Sequence, residues 1–409
     1  MNDWGVKQIK SLGRVVTGKT PPTNNPEYFG GDELFVSPKD LDWSSHYITE
    51  TETRITSKAL EKFKNQVVPR NTVMFTSLSF AFGKMGIASR LCLTNQQINS
   101  VIVNKENSPK FVYYLLRAYE PIIFSYNSGI DTPIVPKSVF EKIEVKLPSK
   151  KLQEKIAAIL SAYDDLIENN QRRIALLEKM AEEIYREWFV RLRFPGHEKV
   201  RFFKGVPQGW RPSCLGNIAK FTMGQSPSSE FYNEVGNGLP FHQGVGTYGE
   251  RFPRTVTYCS EDGRRAHSGD ILFSVRAPVG RLNIADQEMI IGRGLAAIRH
   301  KKEHNSYLYY LLKTAFANED IIGNGSIFNS VGKDELAKFP VFEPEPSLVE
   351  RFDAMVSKID KQITMLMQAT ECSKSSRDAL LPRLISGKLS VEDLDIQLPT
   401  SMEEAAHAI

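Results

Sequence analysis

An internal repeat constrains the fold of this chain more than any other feature of its sequence. The repeat rests on three matches: residues 12–21 with 215–227, residues 113–116 with 309–312, and Asp164 with Asp360. Gly18 and Gly224 lie 206 positions apart in the first match, whereas the later two matches share an offset of 196. Coincidence among common residue types is the alternative, but it does not explain an offset that stays constant through the second part of each copy. We therefore expect two consecutive copies of one fold.

Each copy consists of two parts that differ in kind. The first part has short β-type runs broken by Gly, Pro, Asn and Ser, with one helical patch that carries a Tyr-Tyr-Leu-Leu sequence. This composition is typical of a mixed α/β globule with long loops. The second part of the first copy holds no Gly or Pro from Ser149 to Phe194, as a long helix requires. A chain of 409 residues, 41% of them hydrophobic, is long enough for two such cores.

The apolar residues of both second parts follow a heptad pattern. Alternating steps of four and three residues are typical of a coiled-coil seam rather than of a generic amphipathic helix. In the first copy the predicted seam comprises Ile156, Leu160, Tyr163, Ile167, Asn170, Ile174 and Leu177. In the second copy it comprises Phe352, Val356, Ile359, Ile363 and Leu366, and then weakens through Thr370, Ser373 and Arg377. Two such helices in one chain can bury their seams by pairing antiparallel.

The expected fold class is α+β: two α/β globules separated by two long antiparallel helices that form a coiled coil, with a pseudo-two-fold internal repeat. The expected parts are a first globule at 1–148, a central helix and linker at 149–200, a second globule at 201–345, a C-terminal helix at 346–392 and a tail at 393–409. Pro382 should end or kink the C-terminal helix. Asn170 either fixes register and partner, as a buried seam Asn can, or marks a locally solvated seam.

The sequence offers no convincing catalytic or cofactor site. Residues 244–249 spell Gly-x-Gly-x-x-Gly, but Pro253 follows where a nucleotide-binding turn needs a helix, so a surface loop is expected. The four cysteines lie far apart and the seven histidines are scattered. This spacing favours neither a metal site nor a disulfide framework and predicts a reduced cytoplasm. We expect no cofactor, no metal and no membrane segment.

Loops at matching positions of the two copies carry the residue types that contact DNA. The net charge of +4 permits a polyanionic partner without demanding one. From residue 251 to 299 every Lys or Arg is an arginine, the residue that binds guanine bidentately or clamps phosphate. An arginine taken singly is more often a surface ion pair, but the set favours a nucleic-acid face. The candidate DNA-binding residues are Lys19, Ser37, Lys39, Ser77, Ser79, Lys84, Gln243, Arg251, Arg254, Arg276, Arg281, Asn324 and Asn329.

The order of parts and two segments resemble the specificity subunit of type I restriction-modification enzymes. The segments are the linker at 193–198, Arg-Phe-Pro-Gly-His-Glu, and the ending at 380–389, Leu-Leu-Pro-Arg-Leu-Ile-Ser-Gly-Lys-Leu. The resemblance covers the chain to about residue 392. It implies two target-recognition domains, each reading half of a split asymmetric site on double-stranded DNA, with an antiparallel coiled coil between them. It also implies two modification (methyltransferase) subunits along that coil and restriction-translocase subunits in the full complex, and these partners would hold the catalytic groups and the S-adenosylmethionine and ATP sites.

Two other classes of function stay open at this point. A non-catalytic interaction scaffold, whose globules bind proteins, would share the coiled-coil spacer but gives no reason for the arginine-rich loops. A single-chain methyltransferase would bind S-adenosylmethionine by itself, and residues 25–28, Asn-Pro-Glu-Tyr, match only part of the loop that such enzymes use. The favoured prediction is a non-catalytic, sequence-specific DNA-recognition subunit. Its helices would set the spacer between the half-sites and dock the methyltransferase subunits.

Overall fold

The chain divides into two compact units that each combine a globule with parts of two long helices. The structure, a computed structural model, describes residues 4–42, 46–78, 80–129, 131–316, 321–322, 326–327 and 330–397. The first unit comprises residues 1–173 and 366–409, and the second comprises residues 174–365. Both units mix α-helices with β-sheets. The α+β class predicted from the sequence is therefore confirmed.

The globule of the first unit contains two sheets and a strand pair. One sheet has five strands in the order Gly13–Thr17, Ile98–Val103, Val73–Thr76, Met85–Ala88 and Tyr47–Ile48. The other has four strands in the order Thr53–Ile55, Phe29–Val36, Cys92–Thr94 and Val67–Val68. The pair joins Gly5–Gln8 to Glu144–Leu147. The α-helices of this globule are Ser57–Lys62, Pro109–Ala118, Glu120–Ser125 and Lys137–Phe140.

The globule of the second unit is built in the same way. One sheet has four strands in the order Ala219–Met223, Leu295–His300, Ile271–Ser274 and Leu282–Ile284. The other has five strands in the order Tyr232–Asn233, Thr257–Cys259, Leu239–His242, Met289–Ile291 and Arg265–Ala266. Strand pairs join Arg211–Cys214 to Pro340–Glu343, Phe202–Phe203 to Val206–Pro207, and Ile321–Ile322 to Ser326–Ile327. The α-helices are Leu215–Ile218, Asn305–Ala315 and Lys333–Lys338.

Four strands of each sheet follow the same order in both globules, so the repeat in the sequence is also a repeat of structure. Tyr47–Ile48 is an additional strand of the first globule, and Tyr232–Asn233 is an additional strand of the second. Each second sheet contains one parallel pair, Phe29–Val36 with Cys92–Thr94 in the first unit and Leu239–His242 with Met289–Ile291 in the second. Equivalent strands of the first sheets are Gly13–Thr17 and Ala219–Met223, Ile98–Val103 and Leu295–His300, Val73–Thr76 and Ile271–Ser274, and Met85–Ala88 and Leu282–Ile284.

The helix with the Tyr-Tyr-Leu-Leu sequence forms the centre of the first globule's core. Ser108 caps helix Pro109–Ala118, because its hydroxyl accepts a hydrogen bond from the Phe111 N–H. Six consecutive side chains, those of residues 111–116, are fully buried. A helix that is buried on all sides needs partners on all sides. Here one apolar cluster combines this helix with sheet residues and with Ile156 and Leu160 of the central helix.

Two long helices follow the globules. The central helix spans Lys150–Tyr185 and continues as a π-helical segment, Arg186–Val190. The C-terminal helix spans Pro346–Ile385. It does not end at Pro382 but continues to Ile385, and Gly387 follows in the left-handed conformation with φ +71°. Glycine adopts that conformation at little cost, and it commonly follows a helix C-terminus.

The buried stripe of the C-terminal helix is longer than its apolar residues alone predict. Phe352, Val356, Ile359 and Ile363 are buried, as the heptad pattern requires. The stripe also stays buried at Thr370, Ser373 and Arg377, where the sequence predicts weakening. The Thr370 and Ser373 hydroxyls donate to carbonyls four residues earlier, at 2.7 and 2.8 Å, so burial leaves neither hydroxyl unsatisfied.

The predicted seam of the central helix is also largely buried. Ile156, Leu160, Ile167, Asn170 and Ile174 are buried, whereas Tyr163 and Leu177 are half-buried, as is Leu366 on the C-terminal helix. The burial of Asn170 favours the register interpretation over a locally solvated seam. No helix within the described ranges is long and apolar enough to cross a membrane.

Candidate nucleic-acid interface

Backbone hydrogen bonds bring the candidate loops of the first globule into one row. The row contains loops 18–20, 36–42, 77–85, 94–97 and 128–135. Isolated bridges also pair Asp42 with Met85 and Leu78 with Ile134. Four N–H groups donate to carbonyls of neighbouring loops: Lys19 to Thr94 at 2.8 Å, Asn95 to Val36 at 2.8 Å, Ser77 to Gln97 at 2.9 Å and Val135 to Ser77 at 2.8 Å. The positions that the repeat alignment selects therefore form one surface region.

The second globule holds its loops with equivalent bonds. The corresponding N–H groups donate from Gln225 to Ile291 at 3.0 Å, from Gly292 to His242 at 2.9 Å, from Val275 to Gly294 at 2.9 Å and from Val331 to Val275 at 2.9 Å. Arg276 also forms an isolated bridge with Ser330. The backbone frame is thus the same in both globules, although the side chains on it differ.

Gly18 and Gly224, the glycines of the first repeat match, are required by this frame. A Cβ atom on Gly18 would lie 2.2 Å from the Thr94 carbonyl oxygen, and one on Gly224 would lie 2.1 Å from the Gly292 carbonyl oxygen. Neither contact is possible for a residue with a side chain. The repeated glycine therefore marks a close approach of two loops rather than a contact with a ligand.

The candidate residues of the first globule divide between the surface and the frame. Lys19 and Lys39 are exposed, and the Lys39 ammonium lies 3.4 Å from Glu52. Ser37 closes its own loop, since its N–H and hydroxyl donate to Asp40 at 2.8 and 2.6 Å. Lys84 is half-buried.

The assignment of Ser77 to DNA contact is corrected by its position. Ser77 is buried, and its hydroxyl accepts a 2.9 Å hydrogen bond from the Asn99 side chain, so it supports the frame from inside. Ser79, the other serine candidate in this loop, lies outside the described residues.

The candidate residues of the second globule include three exposed arginines. Arg254, Arg276 and Arg281 all have exposed side chains. Gln243 is exposed as well, and its side-chain oxygen accepts a 2.8 Å hydrogen bond from Ser226. Asn324 and Asn329 lie outside the described residues.

Arg251 does not belong to the exposed set, and its assignment to DNA contact is wrong. Its side chain is only 2% exposed and pairs with Asp360, with Glu178 at 3.5 Å. The guanidinium also lies 5.1 Å from the centre of the Tyr309 ring. A buried, paired guanidinium is not available to a phosphate or a base. Arginine suits both roles, so the sequence alone could not separate them.

Two other arginines of the 251–299 segment are occupied by carboxylates. Arg265 pairs with Asp262 and Glu288, both at 2.9 Å. Arg299 pairs with Asp270 at 2.5 Å and with Glu303 at 2.8 Å. For these two the surface ion pair is the correct interpretation. Arg251, Arg265 and Arg299 are therefore removed from the arginines of this segment that could contact DNA.

Sequence reasoning missed two residues that the structure places on the loop rows. Phe80 is 87% exposed in loop 77–85, an unusual position for a large aromatic side chain. Arg293 is exposed, and its N–H donates to the Ser226 hydroxyl, which in turn bonds to Gln243. Phe80 was not among the candidates because phenylalanine is more often buried in the core than exposed. Arg293 could have been found from its equivalence with Gln96, which follows the same strand in the first copy.

His242 is a buried, neutral residue beside the loop row of the second globule. Its ring is buried, with Nδ1 2.9 Å from the Thr247 hydroxyl. Burial lowers the pKa of His242 to about 4, because an imidazolium without a counter-charge is disfavoured away from water. His242 therefore adds no positive charge to this face near neutral pH.

The glycine-rich motifs do not form nucleotide sites. Residues 13–20 read Gly-Arg-Val-Val-Thr-Gly-Lys-Thr, the literal spacing of a phosphate-binding loop. However, Gly13–Thr17 is a strand paired with Ile98–Val103, and no helix begins in residues 18–25. The 244–249 segment forms a short 3-10 turn, Val245–Thr247, as the surface-loop prediction requires. Phosphate loops depend on a helix N-terminus, which both segments lack.

Potential metal ligands are likewise dispersed. In the part of the chain that the structure describes, no group of three or more His, Cys, Asp or Glu side chains could hold a metal ion. Each globule instead presents a row of cationic and polar loops. Such rows bind a polyanion through phosphate contacts and can read base edges with Arg, Lys and Gln.

Comparisons with known proteins agree with a DNA-binding interpretation. A family model described as "Type I restriction modification DNA specificity domain" matches residues 1–179 and 207–364. The type I restriction enzyme MjaIX specificity subunit of Methanocaldococcus jannaschii is 30% identical over 414 residues, which cover 96% of this chain and 95% of that protein. The putative MjaX specificity subunit of the same organism is 27% identical over 423 residues, covering 95% and 94%.

A solved structure has the same fold. It is the crystal structure of the S subunit of a type I restriction-modification system from M. genitalium. It matches with a TM-score of 0.62 at 18% identity and covers 94% of this chain and 97% of that chain.

Proposed function

Because the chain belongs to the type I restriction modification DNA specificity family, we propose that it is the sequence-specific DNA-recognition subunit of a type I restriction-modification complex. Each globule reads one half of a split asymmetric site on double-stranded DNA. The chain is non-catalytic and acts in the cytoplasm. One observation carries the proposal: the same hydrogen-bonded loop row occurs in both globules with different side chains on it.

The side chains on the two rows support different base preferences. The first row presents Lys19, Lys39 and the exposed ring of Phe80, whereas the second presents Arg276, Arg293 and Gln243. Lysine contributes a point charge to a phosphate or to a guanine, and arginine and glutamine form bidentate pairs with guanine and adenine. Two related domains that recognise different half-sites are expected to share a backbone frame and to differ in the side chains that it presents.

The proposal includes an antiparallel coiled coil of the two long helices. In the first unit, Leu381 and Leu384 share an apolar cluster with Ile156 and Leu160. In the second unit, the Tyr185 and Phe352 rings lie 5.8 Å apart. Residue numbers rise along one helix as they fall along the other, and burial follows steps of four and three. These contacts support a seam that sets the spacer between the half-sites.

Exposed apolar side chains on the helices support docking of two modification subunits, with restriction-translocase subunits joining in the full complex. In the second unit Leu176 and Met365 are both 67% exposed, and Met180 and Met355 are also exposed. Leu176 and Met180 lie four residues apart and are therefore neighbours on the helix surface, and adjoining apolar residues on the solvent side of a helix mark interaction surfaces. Methionine adapts well to such surfaces.

A DNA-binding titration tests the function. The chain, assembled with its modification subunit, should bind DNA that carries its split site, and the affinity should fall steeply with salt as counterions are released. Purified alone, the chain should transfer no methyl group, and adding the modification subunit should produce site-specific methylation. A protein-interaction scaffold would bind this DNA no more tightly than unrelated DNA, or not at all. Methyl transfer by the chain alone would identify a single-chain methyltransferase instead.

A further inference from the structure

A buried carboxylate connects three elements of the first unit. Asp164, on the central helix, accepts a 2.6 Å hydrogen bond from the Tyr114 hydroxyl of the globule. His46 Nε2, also from the globule, lies 2.8 Å from the same carboxylate. The third partner is Arg377 of the C-terminal helix, which forms an ion pair with Asp164. The Asp164 and Arg377 side chains are 2% and 3% exposed.

The surroundings keep Asp164 charged despite its burial. Desolvation alone would raise its pKa, but hydrogen bonds from His46 and Tyr114 and the charge of Arg377 outweigh it and lower the pKa. Arg377 is held in turn by Asp378 at 2.9 Å. Asp164 and Arg377 are therefore a satisfied ion pair at the centre of the unit.

A buried ion pair of this kind adds little net stability compared with an apolar contact. Removing two charges from water costs about as much as their attraction returns, so apolar residues of similar size would hold the helices at least as firmly. The pair differs from apolar contacts in accepting only one alignment. A slip of about one helical turn would place Arg377 against Leu160 or Ile167, both buried and apolar. Both charges would then be buried without partners, a strongly disfavoured arrangement.

We propose that the Asp164–Arg377 ion pair fixes the axial register of the two helices against the first globule, and that it thereby determines which spacer length the chain accepts between its half-sites. This inference rests on the proposed function. A one-turn slip of about 5.4 Å exceeds the rise of one base pair, about 3.4 Å, so a change of register is large enough to change the spacer by one or two base pairs. Asp164 and Arg377 act as positioning residues and contact no base.

The second unit contains an equivalent centre, in which the arginine comes from the globule instead of from a long helix. Asp360, on the C-terminal helix, pairs with Arg251 of the globule and accepts a 3.3 Å hydrogen bond from the Tyr310 hydroxyl. Glu178 of the central helix lies 3.5 Å from Arg251. Again a buried charge joins one globule to both helices. Each copy thus has one buried ion pair that forms only when the helices and the globule are in one alignment.

The test replaces the ion pair by apolar residues of similar size, in the Asp164→Leu/Arg377→Met double variant. The variant and the parent chain are each produced with the modification subunit in cells, and the methylated positions of the host genome are sequenced. The genome offers every spacer length, so the DNA site need not be known beforehand. We expect unchanged half-sites, methylation at spacers one base pair longer or shorter, and a preference for the parent spacer that falls about tenfold, or about 1.4 kcal/mol.

The matched control is Glu168→Leu/Arg172→Met, which removes an exposed ion pair from the same helix and should leave the spacer unchanged. If the Asp164/Arg377 double variant methylates only the parent spacer with undiminished preference, the register role is wrong. If it does not fold, Asp164→Asn/Arg377→Gln decides, because it removes both charges, and with them the penalty for a shifted register, while keeping polar side chains at both positions. Relaxed spacing in that variant supports the role, and unchanged spacing overturns it. A parent chain that directs no methylation to a split site would instead refute the proposed function itself.

Discussion

The Tyr114 hydroxyl donates a 2.6 Å hydrogen bond to Asp164, and Tyr310 stands in the same relation to Asp360, 196 positions later. In both copies the tyrosine lies on the core helix of the globule and the aspartate lies on a long helix. The second bond is longer, at 3.3 Å, and Asp360 also accepts from Arg251 and Ser306. The sequence repeat therefore preserves the attachment of each globule to a helix as well as the globule itself.

Removing the first tyrosine hydroxyl should destabilise the first unit more than the equivalent change destabilises the second. Tyr114→Phe removes a short hydrogen bond to a buried carboxylate, a change worth about 1.5–3 kcal/mol. Tyr310→Phe removes a longer and therefore weaker hydrogen bond, at 3.3 Å, so its cost should be smaller. Denaturant unfolding of both variants, followed by near-ultraviolet circular dichroism, measures the difference. Equal costs would show that the two bonds do not differ in strength.

The stability of the first unit should depend on pH through Asp164. Its pKa is lowered in the folded state, so its contribution is complete above the unfolded value of about 4 and is lost as the pH falls through the lower folded value. Asp164→Asn should therefore cost most stability near neutral pH, and the difference from the parent should shrink below about pH 4. Unfolding free energies between pH 7 and 3 measure this. Asp165→Asn, at the exposed neighbouring position, is the control for the effect of the substitution itself.

The fold could be predicted from sequence where one physical demand dominates a residue type. Heptad spacing places Phe352 and Ile363 correctly, since apolar residues at that period have few alternatives to burial. Arginine is ambiguous, because Arg251 and Arg276 lie in segments of similar composition, yet one is buried beside Asp360 and the other is exposed. Only the fold brings Asp360 to Arg251, across 109 positions of sequence. Long-range partners of this kind carry no local signal.

The same reasoning explains the errors in the candidate site. Ser77 has the right chemistry for DNA contact, but its partner Asn99 comes from a neighbouring strand that pairing brings near. Arg377 interrupts the apolar seam in the sequence, yet it is buried because Asp164 compensates its charge. The loop row was predictable because the repeat compares two copies position by position. The individual contacts were not, because side chains on the shared frame differ between the copies.

Arg276 should contribute directly to recognition by the second globule. Arg276→Ala should weaken binding by about 1–3 kcal/mol and relax one base position if the guanidinium reads a base, or weaken all sequences alike if it holds a phosphate. Arg265→Ala is the matched control, since that arginine is already paired with Asp262 and Glu288. Binding of the assembled complex to its methylated site sequence and to single-base variants measures both. Unchanged affinity and specificity for Arg276→Ala would remove it from the interface.

Phe80 should contribute to DNA affinity without contributing to stability. Its ring is 87% exposed, so Phe80→Ser removes almost no buried area. An aromatic side chain on a DNA face can stack on a base or insert at a base step, and stacking on single-stranded bases is worth about 1–3 kcal/mol. We expect a loss of affinity within that range and an unchanged unfolding midpoint. Phe203→Ser, at another exposed phenylalanine of the second unit, should leave DNA binding as it is.

The length of the two helices should determine the spacer. Four inserted residues add about 6 Å and about 40° beyond a full turn, close to one base pair in rotation and between one and two base pairs in rise. A coiled coil can absorb four extra residues as a stutter. We predict that four helix-forming residues inserted after Asn170, with four more after Thr370 to keep Asp164 opposite Arg377, lengthen the spacer by about one base pair. The half-sites should stay the same, since both loop rows are untouched.

Insertions of seven residues at the same two positions provide the contrast. They preserve the heptad seam but add about 10 Å with almost no net rotation, a combination that no small change of spacer matches in both length and twist. This variant should fold with unchanged helicity and yet methylate its split site poorly. Sequencing the methylated positions in cells that carry each variant with the modification subunit measures half-sites and spacer together. A four-residue variant that keeps the parent spacer, or that recognises different bases, would contradict the role of the helices as a spacer, because the insertion changes only their length.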